Sequence, residues 1–289
     1  MTTAVIPPIA AWNRRVGELL REASIEVSAR DANAAAKLAG IVAPGAEIYV
    51  AFLPNHSHHE LVAAAVGLRR GGYVPVPHLA ARNLASVTQL EDYLARAQGE
   101  AGVDRLLLVG GDMDPPRGPF GSALDVIETG ALERHGIRAI GLAGHPEGVR
   151  GVPAAMLSGA IPAKVAAARQ RGLRAWIVTQ FCFESAPILA LAAGLRQSVP
   201  GVPVRAGIAG PANASALLKF AVRCGVGNSL RAIRTHADSI THLMGGTRPD
   251  DLVKALAADG DLIAGLHFFP FGGLALMRRW IDDMTRAPA

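Results

Sequence analysis

The stretch Ala175-Trp-Ile-Val-Thr-Gln-Phe-Cys-Phe-Glu184 decides how the chain is read. Its first half is apolar, as a strand buried on both faces requires, and its second half turns polar and aromatic. That is a buried strand with a chemically equipped end. Seven further segments, at 23–29, 47–54, 74–83, 105–112, 137–147, 203–213 and 262–272, share the design: each begins apolar and finishes in Glu, His, Asp, Asn or Gly. Amphipathic segments of helix length separate them. Eight such units predict a closed parallel barrel, a single (β/α)8 TIM barrel spanning 1–289, with its chemistry at the carboxyl ends of the strands.

Composition fits that size. The 289 residues are 50% hydrophobic, and 29 Lys+Arg against 24 Asp+Glu give a formal charge of +5. The basic residues are scattered and not interleaved with aromatics, which implies a mild pull on anionic ligands and excludes a nucleic-acid surface. Cys182 and Cys224 have neither metal-ligand spacing nor a disulfide framework, which fits a reducing cytoplasm. The first ten residues lack a basic flank followed by a long apolar core. No apolar run reaches the roughly 18 residues that cross a bilayer. A soluble, cytoplasmic protein with no membrane partner is expected, assembled as a homo-oligomer.

Along the chain, Trp12, Val16, Leu19 and Leu20 recur at helical spacing, so a helix over 10–22 should close the barrel bottom. In Ser24-Ile-Glu-Val-Ser28 strict alternation puts Ile25 and Val27 on one face and Ser24, Glu26 and Ser28 on the other. The apolar face should meet the helix layer, which turns Glu26 into the lumen. A helix over 31–42 follows. The second strand leads to His56, His58 and His59, readable either as metal ligands or as the solvated start of a helix carrying Leu61, Val62 and Val66. After the fourth strand, Gly110 and Gly111 let a ligand approach the backbone beside Asp112, which is either a site residue or a helix cap. An extra helical region is expected over 214–244, between strands 7 and 8. Its Gly225-Val-Gly227 is too short for a dinucleotide fingerprint and reads as a turn. A final helix carries Met277, Trp280 and Ile281.

The order of strand ends resembles methylenetetrahydrofolate reductase, the flavin-dependent barrel of one-carbon metabolism and methionine biosynthesis. The motifs run from Ser24 to Gly272. Ser24-Ile-Glu-Val-Ser28 is similar to the family's Ser-Phe-Glu-Phe, Pro77-His-Leu79 to its His-Leu-Thr, and Gly110-Gly-Asp112 to its Arg-Gly-Asp. Ala143-Gly-His-Pro-Glu-Gly148 is similar to Ala-Tyr-Pro-Glu, Thr179-Gln-Phe-Cys-Phe183 to Thr-Gln-Phe-Phe-Phe, and Leu266-His-Phe-Phe269 to Phe-His-Phe-Tyr. The resemblance implies hydride transfer between NAD(P)H and 5,10-methylene-/5-methyltetrahydrofolate through FAD, in either direction. Glu26 would be the general acid, Asp112 would bond the pterin near the flavin, and Gln180 would hold pterin or nicotinamide, with Phe181 and Phe269 beside the substrate. Phe52, His78, Leu79, Gly110, Gly111, Asp112, Ala123, Ala143 and His145 would line the flavin, and Lys164 would meet its phosphates. No metal is implied.

The chain departs from the family at several polar positions. Gly110 replaces an arginine, Ala51 and Phe52 replace threonine and tyrosine, and Leu157 and Ala160 stand where polar residues precede the phosphate-binding lysine. Ala214 replaces an aromatic. Fewer polar groups on the cofactor imply weaker or altered flavin binding. The residues read alone agree in outline, because a carboxyl in an apolar lumen is held neutral and made a better acid near neutrality. The structural alternative for Glu26 is a pair with an arginine, for which Arg82 is the candidate. Two other functions stay open: a metal-dependent barrel hydrolase using His56, His58 and His59 with Asp112 and His267, and a folate-binding barrel without catalysis.

Overall fold

A computed structural model describes residues 9–32, 35–53, 56–149, 151–224 and 248–286. Eight strands, β1 (Ser24–Ser28), β2 (Glu47–Ala51), β3 (Val74–Ala80), β4 (Arg105–Val109), β5 (Ala139–Gly144), β6 (Arg174–Thr179), β7 (Val204–Ala209) and β8 (Gly265–Phe269), pair in sequence order and close on themselves. Every pairing is parallel, and the closing pair aligns Ser24 with His267. The expected (β/α)8 barrel is therefore what the chain forms. The helices are α1 (Ile9–Arg21), α2 (Ala29–Ala32), α3 (His58–Arg70), α4 (Val87–Ala101), α5 (Ala123–Glu128), α6 (Ala131–Arg134), α7 (Ala154–Gln170), α8 (Ser185–Ser198), α9 (Ala214–Cys224), α10 (Asp250–Ala258) and α11 (Leu274–Arg286). Among the described residues no helix is long and apolar enough to cross a membrane.

The two strand faces feed two cores. Ile25 and Val27, Ile48 and Val50, and Leu106 and Leu108 point outward into the layer between strands and helices. Tyr49, Val76, Leu107, Ala139, Trp176 and Val178 fill the lumen. Gly141 on β5 makes room there, since a Cβ would stand 2.8 Å from the Trp176 ring. That space lets Trp176 Nε1 donate to Tyr49 Oη at 2.8 Å, tying β6 to β2 across the barrel.

At the amino-terminal end of the strands, Glu47 accepts from Arg105 at 2.6 Å and from Arg205 through its other oxygen. This triad closes the lumen floor with its charges compensated. On the rim of that end, α1 buries Val16, Leu19 and Leu20, and Arg15 donates to the Ile263 carbonyl just before β8. The terminal helix likewise buries Met277, Trp280 and Ile281.

Two expectations need adjustment. In place of a helix over 31–42, the described residues make the single turn α2 and a 3-10 turn at Ala35–Leu38. Gly40, at φ +79°, ends that run in a backbone conformation that favours glycine, and Ile41 and Val42 are then buried as anchors. Of the extra helical region, α9 is seen and α10 follows it, while 225–247, with the Gly225–Gly227 turn, lies outside the described residues.

Candidate functional site

Glu26 lies in the lumen, as alternation along β1 requires. Its side chain retains 20% exposure, and Oε2 stands 3.3 Å from His78 Nε2 on β3. Arg82 is not its partner: that guanidinium bonds Asp114 at 2.8 Å and the Met113 carbonyl at 2.6 Å. With no cation opposite, burial pushes the Glu26 carboxyl up to about 8 and His78 down to about 4. Near neutrality both groups are uncharged, and the proton resides on the carboxyl. His78 Nε2 makes no geometrically sound hydrogen bond among the described residues, and Glu26 Oε2, 3.3 Å away, is the carboxyl oxygen beside it.

The surroundings of this pair are aromatic. The Tyr49 ring lies edge-on to His78 at 6.3 Å and tilted on His267 at 4.4 Å. His267 meets Phe269 at 4.8 Å, and Phe269 meets Phe181 at 5.8 Å. A chain of ring contacts thus joins β3, β2, β8 and the end of β6. His267 is fully buried, and its Nδ1 lies 2.9 Å from Ser24 Oγ. Burial, with His78 and Arg205 nearby, holds it well below the usual histidine range, hence neutral. Phe271 and Phe220, whose rings stack at 4.1 Å, extend the aromatic wall beyond the strand ends.

Gln180 follows β6 and is half-buried; its Oε1 accepts from the Phe181 amide at 3.1 Å. The NH2 end of its amide remains for a ligand. A second group assembles after β5, where Ala143 and His145 are half-buried and His145 is lowered by burial and by the charge of Lys164. Lys164, on α7, has its own pKa lowered by burial and has no ion pair among the described residues. It is not the solvated lysine that a lone helical position suggests.

Asp112, Gly110 and Gly111 form the rim after β4, with Asp112 exposed. Gly111 has φ +92°, and a Cβ there would meet Asn83 Oδ1 at 2.5 Å, so the turn admits no larger residue. Asp112 caps no helix, because α5 is capped by Ser122 in a capping box with Asp125. Leu79 and Ala123 do not present side chains to the lumen; both are buried in the outer core. Phe52 turns to His58, their rings 5.2 Å apart, on the α3 side.

The three histidines diverge. Ser57 caps α3 with Glu60 in a capping box, so His58 and His59 begin a helix. His59 Nδ1 bonds Arg96, and the His58 ring sits against Phe52 and, at 4.9 Å, Tyr93. Among the described residues no group of three or more His, Cys, Asp or Glu side chains is arranged to hold a metal ion. The Tyr49–Trp176 pair and the Glu47 triad went unnoticed in the sequence, although the alternation that places Glu26 inward also places Glu47 and Tyr49 inward. No family model matches the chain.

Proposed function

We propose that the chain is an oxidoreductase resembling methylenetetrahydrofolate reductase, moving hydride between NAD(P)H and 5,10-methylene-/5-methyltetrahydrofolate. The observation that carries this reading is the Glu26 carboxyl 3.3 Å from His78 in an aromatic lumen, combined with the ordered strand-end motifs. FAD, when bound, would supply the two-electron carrier between nicotinamide and folate.

The residues present fit such a group in part. A half-buried Lys164 without a carboxylate partner among the described residues, beside neutral His145, offers charge to a pyrophosphate. Leu157 and Ala160, half-buried on the same helix, offer no hydrogen bond. The chain's own part in the chemistry is proton handling and orientation. Glu26 holds a proton at neutral pH and would give it to the folate nitrogen as the methylene bridge opens to an iminium. His78 takes no proton there, being lowered to about 4, and so orients the carboxyl without competing for its proton. The Gln180 amide donors and the Asp112 carboxylate would fix the pterin, with Phe181 and Phe269 beside it. Tyr49, tied to Trp176, holds the floor on which His78 and His267 rest.

An absorption spectrum of the purified protein, with NADH oxidation in the presence of methylenetetrahydrofolate, tests the reading. Flavin absorbance that declines on dilution, and activity restored by added FAD, are expected. Each unmade charged hydrogen bond costs about 1–3 kcal/mol, or about a tenfold weakening per 1.4 kcal/mol. A colourless protein that binds no added FAD and shows no folate-dependent NADH oxidation overturns it.

A further inference from the structure

Six buried side-chain polar atoms lack a hydrogen-bond partner among the described residues, and they are not spread evenly. Two, His78 Nε2 and His267 Nε2, belong to the lumen. Three more, His56 Nδ1, His58 Nε2 and Tyr93 Oη, belong to residues that line one cleft of about 450 Å³ between α3 and α4, each atom itself buried behind the cleft wall. Orphaned buried polar groups are rare because each forfeits its bonds to water, so a cluster beside a cavity points to a ligand that completes them. Tyr93 is only 2% exposed. None of the residues that line the cleft belongs to the lumen; they come from the start of α3, from α4 and from the segments that follow β2, β3 and β4.

Its electrostatics favour an anion at one end. Arg117 lines the cleft from the loop after β4, has no ion pair among the described residues, and its charge, after burial, helps lower the His58 pKa. Arg96 lines it from α4, bonding Glu100 through Nε at 2.7 Å while Nη1 faces His59. Two acids also border the space. The Glu60 carboxylate is turned back onto the Ser57 amide at 2.7 Å and hydroxyl at 3.0 Å, and Asp92 is exposed. Arg96 is thus compensated by Glu100, and Asp92 lies at the solvent side, which leaves the Arg117 guanidinium as the cation without an ion pair among the described residues that line the cleft.

We propose that this cleft is a second binding site, taking the oxyanion group of a small molecule, a phosphate or a carboxylate. Arg117 supplies the charge, and His58 Nε2 and Tyr93 Oη supply hydrogen bonds once the His58 ring shifts between Phe52 and Tyr93. Its volume suits a ligand of mononucleotide or sugar-phosphate size. The site is independent of the hydride-transfer reading.

Calorimetric titration of the full chain with inorganic phosphate and with succinate tests it, comparing the parent with Arg117→Gln, Tyr93→Phe and Lys164→Ala. Saturable binding is expected, weakened about tenfold or more by Arg117→Gln and about threefold by Tyr93→Phe, and unchanged by Lys164→Ala. Whichever anion binds more tightly identifies the phosphate or carboxylate source. Arg117 is exposed and its side chain makes no hydrogen bond or ion pair among the described residues, so its variant reports binding. Absence of saturable binding for both anions overturns the proposal. So does binding that survives Arg117→Gln, above all if Lys164→Ala abolishes it.

Discussion

Two glutamates face the same lumen and meet opposite surroundings. Glu47, at the floor, is held between Arg105 and Arg205, whereas Glu26, toward the carboxyl ends, stands beside His78 with no Lys or Arg in ion-pair contact among the described residues. At the floor two guanidinium groups compensate the charge, and the triad closes the barrel. Above, desolvation has no cation to oppose it, and the carboxyl keeps its proton to about 8. One residue type therefore serves as a structural plug or as a proton store according to whether an arginine stands opposite.

The largest expected effect comes from breaking the upper member. Glu26→Gln keeps the shape and removes the proton; folate turnover should fall about 10²–10⁴-fold, while reduction of added flavin by NADH is spared. Steady-state assay of the two half-reactions checks this, and parent-rate folate reduction by the variant would remove Glu26 from the acid role.

Breaking the lower member should act on stability. Glu47→Ala leaves Arg205 without its carboxylate, while Arg105 keeps Asp104 at 2.9 Å, and should cost about 3 kcal/mol, read by urea unfolding. A loss below about 0.5 kcal/mol would mean that the floor triad is a surface-like pair.

A pH series sharpens the contrast. Above the ordinary carboxyl value of 4.5 the unfolded chain releases the Glu26 proton while the folded chain holds it to about 8, so stability falls as pH rises through that window. His78, lowered from 6.5 to about 4, has the opposite sign and loses stability as pH falls through its own window. Between pH 6.5 and 8 only Glu26 contributes. There Glu26→Gln should remove a decline of about 2 kcal/mol, which parallel slopes for parent and variant would contradict. The smallest effect is expected from Tyr49→Phe, which leaves Trp176 Nε1 without its acceptor. About 1 kcal/mol is the expected loss in thermal or urea unfolding.

The fold was legible because each strand announces itself twice, by an apolar run and by the polar residues that end it. Glu26 was legible through a period-2 alternation of only five residues. The floor triad was not, because Arg105 and Arg205 lie 58 and 158 residues from Glu47 and nothing local marks them as partners. The run 31–42 misled because Ala-rich sequence carries helix propensity, and the turn at Gly40 with its buried anchors overrode it. The histidine trio shows the converse. Closeness in sequence allowed either a common ligand or a helix start, and the helix start that forms sends His58 and His59 to different neighbours.

The central claim is that the Glu26 carboxyl is protonated at neutral pH because nothing compensates its charge. Carbon-13 NMR of glutamate side-chain carboxyls, with Glu26→Gln to assign the signal, measures this directly. A resonance that titrates near 8 and disappears in the variant is the predicted result. A Glu26 signal titrating near 4.5 would contradict the account.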